Sequence, residues 1–453
     1  MKLHFLGGVK TVTGVKFLLE AKAGKKKKVK ILIDCGMVQS ERGAREENNE
    51  EFLFKSSEID YAFITHAHID HIGLIPKLYK DGFRGKIFAT APTIDLAYLT
   101  LADSQEIMER ETRETGMDLI FSQQDISRSL NLAEEVSYNK KKKLTGEIYF
   151  RFRDAGHILG SSIIEIWVEG KKIVFSGDLG NDSMPLLNPP TLIKEADYIV
   201  IESTYGDRIH ENYTERKEIL ENVFEETFSK NGVLMIPAFA VERTQELLCE
   251  LNSLVENNKI PRVPIFIDSP LAIKATEIYK KYRDLFNKES IKLIKSGDDL
   301  FNFPGLVLTE RVEQSRAINE VIPPKVIIAG SGMSSGGRIL FHEKMYLSDP
   351  KNCILIISFQ AKGTIGRQIS DGEKIVRIFD KDIQINAKVA SIRGYSSHAD
   401  QNGLYKWIEG FLKPVRVFVV HGEENASNAL AQRVKDHLGL VVHVPELGEG
   451  VEL

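Results

Sequence analysis

Three of the chain's eleven histidines and one carboxylate fall within six residues of the stretch Thr65-His66-Ala67-His68-Ile69-Asp70-His71. A buried ring nitrogen or carboxylate needs a partner, and four such groups crowded together cannot all satisfy one another. A divalent cation supplies the missing partner. His66 and His68 alternate by two, so on an extended segment both rings point to one side. Asp70 and His71 follow where the chain turns into a helix and can address a neighbouring position. Two cation positions a short distance apart are the natural result. Imidazole with carboxylate suits Zn2+, with Mn2+ the alternative where oxygen ligands dominate. Two ions need more ligands than this stretch holds. Asp178 behind Gly177 is the candidate carboxylate to bridge them, and His157 behind Gly156 a further nitrogen. Asp34, in Asp34-Cys35-Gly36, is placed to orient an imidazole from behind. The histidines His4, His210, His342, His437 and His443 sit in no motif and read as ordinary surface or core residues.

Strands must deliver these groups. Val29 to Ile33 leads into Asp34, and Tyr61 to Ile64 leads into the histidine stretch. Ile148 to Phe152 precedes His157, Lys172 to Phe175 precedes Asp178, and Tyr198 to Ile201 precedes Glu202. From about residue 209 the texture changes. A helix near 214–228, with apolar residues at 219, 220, 223, 224 and 228, begins an alternation of strands and helices. Expected strands lie at 232–236, 263–267, 326–329 and 353–359, with helices near 241–254 and 271–281. That alternation predicts a mostly parallel sheet covered by helices. From about 386 strand-like text returns, with Ser397-His398-Ala399-Asp400 and Val420-His421-Gly422-Glu423. The expected organisation is a discontinuous first domain, 1–208 plus 386–453, interrupted by an inserted α/β domain at 209–385.

A chain of 453 residues is long for one core. Its charge of −4, from 60 basic and 64 acidic residues, argues against a large non-specific nucleic-acid surface. A local basic groove is still compatible with it. The lysine runs Lys25 to Lys28 and Lys140 to Lys143 read as solvated turns, and no linear stripe of alternating basic and aromatic residues is present. Cys35, Cys249 and Cys353 are far apart and sit in or beside apolar runs, which suits buried free thiols in a reducing cytoplasm. No apolar run has the length of a membrane span, and the N-terminus goes straight into a strand-like segment without a secretory signal.

The run Gly330-Ser331-Gly332-Met333-Ser334-Ser335-Gly336-Gly337 follows a strand. Glycines admit a phosphate close to the backbone, and hydroxyls and N–H groups can bind it. Ser331, Gly332, Ser334, Ser335 and Gly336 are therefore candidate phosphate contacts, with Arg367 as a candidate bidentate clamp. The run lacks the Lys-Ser/Thr ending of a nucleotide-triphosphate loop.

Taken in order, His66-Ala-His68-Ile-Asp70-His71, Gly156-His157 and Ser176-Gly177-Asp178 resemble the metallo-β-lactamase superfamily. Glu202-Ser-Thr-Tyr-Gly206, Ser397-His398-Ala-Asp400 and His421-Gly422-Glu423 resemble the further motifs of its β-CASP nucleases. Asp268-Ser-Pro-Leu-Ala272, the glycine-rich run and Gln360-Ala-Lys-Gly-Thr-Ile-Gly-Arg367 are similar to prokaryotic relatives of the cleavage and polyadenylation specificity factor endonuclease. The resemblance covers nearly the whole chain. It implies an α/β fold, an αββα sandwich with an inserted parallel-sheet domain. It assigns one metal to His66, His68 and His157, the other to Asp70, His71 and His421, and places Asp178 between them. Asp70, Glu202 and His398 become the catalytic set, with His398 beside the leaving group. Two metals would neutralise phosphodiester charge and supply a nucleophile at neutral pH.

Three activities compete under this resemblance: a zinc-dependent ribonuclease, a DNA nuclease of the same fold, and a small-molecule metallohydrolase. A domain-sized insertion suits a long substrate and disfavours the third. The resemblance also implies RNA, because RNA-cleaving members tend to carry histidine where His421 stands and DNA-cleaving members valine. The expected partner is single-stranded RNA, cut internally, stepwise from the 5′ end, or both, in RNA processing or decay. A homodimer or an RNA-processing protein partner is compatible with this reading, and a membrane partner is not expected.

Overall fold

The structure is a computed structural model describing residues 1–24, 27–39, 43–182, 184–361 and 363–453, without the side chains of Lys27 and Tyr213. Lys25 and Lys26 of the first lysine run, residues 40–42 of the charged segment and Lys362 of the 360–367 motif lie outside the described residues. The strands follow the chain. Six come first: β1 Lys2–Gly7, β2 Lys16–Ala23, β3 Lys27–Ile33, β4 Tyr61–Phe63, β5 Lys86–Ala89 and β6 Ala133–Glu135. Five more precede the texture change: β7 Lys142–Thr145, β8 Ile148–Asp154, β9 Ser162–Val168, β10 Lys171–Phe175 and β11 Tyr198–Glu202. Next are β12 Val233–Pro237, β13 Ile265–Asp268, β14 Leu306–Leu308, β15 Lys325–Ala329, β16 Cys353–Ile356, β17 Ile375–Ile378, β18 Lys381–Gln384 and β19 Lys388–Ser391. The chain closes with β20 Arg416–Val420, β21 Val442–His443 and β22 Gly450–Glu452.

Two compact units emerge. One comprises Met1–Asp182, Pro189–Ile209 and His398–Leu453, and holds two seven-stranded sheets. The first has the order β22-β1-β2-β3-β4-β5-β6 and the second β21-β20-β11-β10-β9-β8-β7. Their inner faces share one apolar core, with Phe5, Phe17, Phe63 and Phe88 from the first sheet against Phe150, Phe152, Phe175 and Phe418 from the second. The rings of Phe63 and Phe150 meet edge-on at 4.9 Å between centroids. Strand periodicity builds this: in β8, Ile148, Phe150 and Phe152 point inward while Tyr149, Arg151 and Arg153 point outward. The outer face of the second sheet packs Val174, Ile199, Ile201, Val417 and Val419 against Leu404, Trp407, Ile408, Leu430 and Val434. Those residues come from the helices Gln401–Glu409 and Glu424–Leu438. On the first sheet β3 to β6 run parallel, so helices must carry the crossovers, among them Ile75–Lys80, Ala91–Thr115 and Gln123–Leu130. The layers are therefore αββα.

The second unit spans His210–Ser397 with the short segment 183–188. Its six-stranded sheet, ordered β14-β13-β15-β12-β16-β19, is parallel throughout. The helices Tyr213–Ser229, Arg243–Glu256 and Pro270–Lys281 fall within a few residues of the expected ones. The expected boundary at 386 differs from the division between the compact units, which falls at Ser397 and His398. The reason is β19, whose Lys388–Ser391 pair in parallel with Cys353–Ile356 of β16. The second lysine run also differs from a plain turn: Lys142 and Lys143 belong to β7, at the edge of the second sheet. Cys35, Cys249 and Cys353 are free and buried. No helix among the described residues is long and apolar enough to cross a membrane.

Candidate metal centre

Asp34, the His66–His71 stretch, His157, Asp178 and His421 follow the C-terminal ends of β3, β4, β8, β10 and β20, Glu202 is the last residue of β11, and His398 bridges to Gly180 in the loop after β10. The loop after β3 and the loop after β4 are laced backbone to backbone. Cys35 N–H donates to His71 O at 2.8 Å, Val15 N–H to Asp70 O at 2.8 Å, and Gly36 N–H to Val15 O at 2.9 Å. They lie so close that a Cβ on Gly36 would stand 1.5 Å from Asp70 O, so only glycine fits. Asp34 is the anchor. Its carboxylate accepts from Thr65 N–H at 2.8 Å and from Thr65 Oγ1 at 2.7 Å, and takes His71 Nδ1 at 2.8 Å. With Nδ1 so occupied, His71 turns Nε2 into the site.

Two groups of potential ligand atoms result. His66, His68, His157 and Asp178 form the first, and Asp70, His71 and His421 the second, the atoms of each lying within 4.8 Å of one another. In the first, His68 Nδ1 stands 3.1 Å from both His66 Nε2 and His157 Nε2. Asp178 faces both groups. Its Oδ2 lies 3.4 Å from His66 Nε2 and 3.5 Å from His157 Nε2. Its Oδ1 lies 3.4 Å from His71 Nε2 and from His421 Nε2. Asp70 Oδ2 is 3.8 Å from the same two nitrogens.

These residues fit a pair of metal ions. Tetrahedral bonds of about 2.1 Å put neighbouring ligand atoms about 3.4 Å apart, which is the spacing seen here. Hydrogen bonds cannot explain it, because a neutral imidazole has one N–H and His68 Nδ1 cannot serve two rings. His71 Nε2 and Asp178 Oδ1 are buried without a hydrogen-bond partner, a costly state that cations would relieve. Burial pushes His66 well below the usual imidazole range and His68 down to about 4, so both are neutral and offer lone pairs at neutral pH. Burial also opposes ionisation of Asp178, yet His71, His421 and His66 around it hold its carboxyl well below the usual range. Burial would likewise lower His71, but Asp178 and Asp34 outweigh it and raise it well above.

His421 comes from far along the chain. It follows β20 in a left-handed conformation, φ 47°, and its N–H donates to Gly8 O at 2.7 Å. Its carbonyl accepts from Ser203 N–H at 3.1 Å and Thr204 Oγ1 at 3.2 Å. Beside the two groups, Asp178, Glu202 and His398 form a third. His398 Nδ1 lies 3.2 and 3.1 Å from the two Glu202 carboxylate oxygens. That carboxylate also accepts from Leu179 N–H at 2.7 Å and Thr204 N–H at 3.3 Å, and is buried. Burial would lower His398, but Glu202, then Asp178 and Asp70, raise it above the usual imidazole value. The side chains of His398 and Asp70, each 17% exposed, form the open side of the centre, while Glu202 is closed off.

The candidate phosphate contacts lie in the second unit. The loop after β15 is braced from within by Ser335 N–H donating to Ser331 Oγ at 2.9 Å, and from the segment after β16 by Gln360 Nε2 donating to Gly332 O at 2.8 Å. Ser334 turns into the core and gives its hydroxyl to Glu343. Arg367 Nε donates to both carboxylate oxygens of Asp371, at 2.9 and 2.8 Å, which directs its side chain along its own helix. Gly336 has open space where a Cβ would stand. His342, read as ordinary, is buried with Nε2 2.7 Å from Asp268 Oδ2. Supporting residues to which the sequence reading assigns no role are Thr65, Ser161 and Ser176. Ser161 Oγ accepts from His157 N–H at 3.0 Å, and Ser176 Oγ from Glu202 N–H at 3.1 Å. Thr65 and Ser176 flank motif residues in sequence, while Ser161 carries no signal of its own.

Three family models match successive stretches. They are a metallo-beta-lactamase superfamily domain over 25–202, a Beta-Casp domain over 244–369, and a Zn-dependent metallo-hydrolase RNA specificity domain over 382–445. A ribonuclease of Thermus thermophilus is 37% identical over 452 residues, covering all of both chains. An RNase J-like protein of Methanocaldococcus jannaschii is 33% identical over 93% of each chain. A transcription termination factor, FttA, of Methanosarcina mazei is 31% identical over 96% of this chain and 69% of its own. Among solved structures, a protein of unknown function from Enterococcus faecalis shares the fold at TM-score 0.55 and 12% identity, over all of this chain and 99% of its own.

Proposed function

Because this chain belongs to the β-CASP branch of the metallo-β-lactamase superfamily, we propose that it is a two-zinc ribonuclease. It hydrolyses phosphodiester bonds of single-stranded RNA in RNA processing or decay, in the cytoplasm. The observation that carries this is Asp178, one buried carboxylate facing two nitrogen groups at about the spacing of metal ligands. His66, His68 and His157 would hold one ion and Asp70, His71 and His421 the other, with Asp178 facing both groups. When bound, the ions neutralise the charge of the scissile phosphate and activate water at neutral pH. RNA rather than DNA is supported by His421 and by the similarity to a ribonuclease and an RNase J-like protein.

The chain's own residues do the rest. Asp34 and Thr65 fix the His71 ring, so its Nε2 needs no reorganisation on binding. Glu202, fastened by two backbone N–H groups, holds His398 by Nδ1 and favours the protonated ring. His398 then gives a proton from Nε2 to the departing 3′-oxygen, and Glu202 stabilises the charged ring before that transfer. Asp70, on the open side, sits where it can orient the reacting phosphate's cation and the attacking water. Ser331, Gly332, Ser335 and Gly336 are the phosphate contacts retained for the RNA backbone. Ser334 and Arg367 serve only if they exchange Glu343 and Asp371 for substrate.

The test is incubation of purified protein with end-labelled single-stranded RNA and DNA of one sequence, carrying 5′-triphosphate or 5′-monophosphate ends, with a chelator control. Chelator-sensitive cutting of RNA is expected, and the product ladder reads internal against end-on cutting. Cutting of DNA alone, or of a thioester and neither nucleic acid, overturns the proposal.

A further inference from the structure

The linear sequence carries no basic–aromatic stripe, but four strands of the second sheet assemble one. Pairing aligns Lys143 of β7 with Tyr149 of β8, Tyr149 with Trp167 of β9, and Trp167 with Lys172 of β10. All four side chains are on the outer face, since their neighbours Phe150, Ile166 and Ile173 fill the sandwich core. At a strand spacing of about 4.8 Å, this cation–aromatic–aromatic–cation row spans about 15 Å. The apolar layer that covers the outer face stops at Ile163 and Val174. Beyond it, toward β7, the face is polar and partly exposed.

The cations are aimed at the ring. Lys141 Nζ stands 3.9 Å from the Trp167 ring centroid, with Lys172 Nζ at 5.1 Å and the Arg151 guanidinium at 5.2 Å. Lys141 also lies 5.2 Å from the Tyr149 ring. Glu165, buried among them, holds its neighbours in place. Arg151 Nη2 reaches it at 3.0 Å, Arg153 Nε at 3.2 Å and Lys172 Nζ at 2.5 Å. Three cations share one carboxylate, so the patch keeps net positive charge, and Lys141 and Lys143 add to it. The whole chain is net acidic, which makes this local reversal of sign more telling. The face also leads to the centre. β8 runs from Tyr149 to Asp154 over about 17 Å, and His157 follows.

We propose that this face is a holding site for single-stranded RNA outside the metal centre, with a base stacked on Trp167 or Tyr149 and phosphates on the surrounding cations. The proposal rests on the ribonuclease reading for the identity of the strand. Fixed cations around an aromatic plane suit the π face of a base next to its phosphate. A duplex hides its base faces and would gain only the charge.

The chain has two tryptophans, and Trp407 is buried in the core, so quenching by a stacked base reports on Trp167. Full-length protein in chelator is titrated with oligouridylate and with duplex RNA of equal length, which separates binding from cutting. Saturable quenching by the single strand is expected, with a weaker response to duplex. By anisotropy of a labelled strand, W167A should bind about tenfold more weakly and W167F should recover most of that loss. Lys143→Ala should lower the salt slope by about 0.7. With metal present, W167A should raise KM for a long RNA and leave kcat for a dinucleotide unchanged. Equal binding by W167A and wild type, the result if the face instead serves a protein partner or is merely solvated, overturns the holding site. Binding without any cutting in metal overturns the ribonuclease reading and leaves the holding site standing.

Discussion

Asp34 shows how much a single side chain decides. Its two oxygens satisfy Thr65 twice and His71 once, so the ring that faces Asp178 is fixed before any ion arrives. Asp34→Asn replaces one acceptor with a donor and unseats the ring. Metal affinity should fall about 10- to 100-fold, measured by competition with a chromophoric chelator, with the far-ultraviolet circular dichroism unchanged. His398 acts differently. It lies with Asp70 on the open side of the centre and is paired with a buried carboxylate, which suits a proton donor. His398→Ala should lower turnover about 10²- to 10⁴-fold while two metals per chain remain by elemental analysis. Near wild-type turnover with both metals bound would remove His398 from the mechanism.

At the scale of elements, the site depends on how closely loops pack at strand ends. Gly36 lets the loop after β3 lie against the turn carrying Asp70 and His71. Gly36→Ala should destabilise the fold by about 3 kcal/mol, read by urea denaturation, and lower metal affinity in the same variant. The parallel sheet of the second unit offers a pH-dependent counterpart. Asp268 ends β13 and accepts from Thr309 and Ser315 at 2.7 Å each and from Arg338 at 2.7 Å, with His342 opposite. Burial alone would raise its carboxyl, but His342, Ser315, Thr309 and Arg338 lower it to about 2 from an ordinary 3.8. A depressed carboxyl contributes stability above its unfolded value and loses it as pH falls. Asp268 should therefore contribute about 1 kcal/mol above pH 4, after solvent screening, and lose it toward pH 2. The stability gap to Asp268→Asn, measured by denaturation across that window, should narrow as pH falls.

At the scale of the whole chain, the first unit is assembled from distant segments. β20 pairs with β11 over five residues and delivers His421 at its end. The second donor group thus joins Asp70 and His71 to His421, and a metal held there would need both segments in place. Metal binding is then part of the folding free energy of that unit. Chelation should lower the midpoint of thermal unfolding, by the equivalent of about 2.7 kcal/mol relative to metal at one hundred times its Kd. His421→Ala should reduce this metal-dependent shift. A full shift in that variant would show that His421 holds no ion.

The sequence by itself determined which donor residues gather at the centre and the class of the fold. His66 to His71 are close in sequence, so no tertiary contact is needed to see that their donors converge. The strand–helix alternation after 209 is likewise local, because periods of two and 3.6 are written along the chain. What only the tertiary structure decided is what depends on alignment across strands. Ser161, which fixes the backbone of His157, carries no motif, and Ser334 and Arg367 are turned to Glu343 and Asp371 by contacts no spacing reveals. The return to the first unit at His398 rather than 386 follows from one parallel pairing of β19. The Lys143-Tyr149-Trp167-Lys172 row exists only through register. Its members are up to 29 residues apart in sequence and adjacent in space because each strand presents alternate residues to the same face.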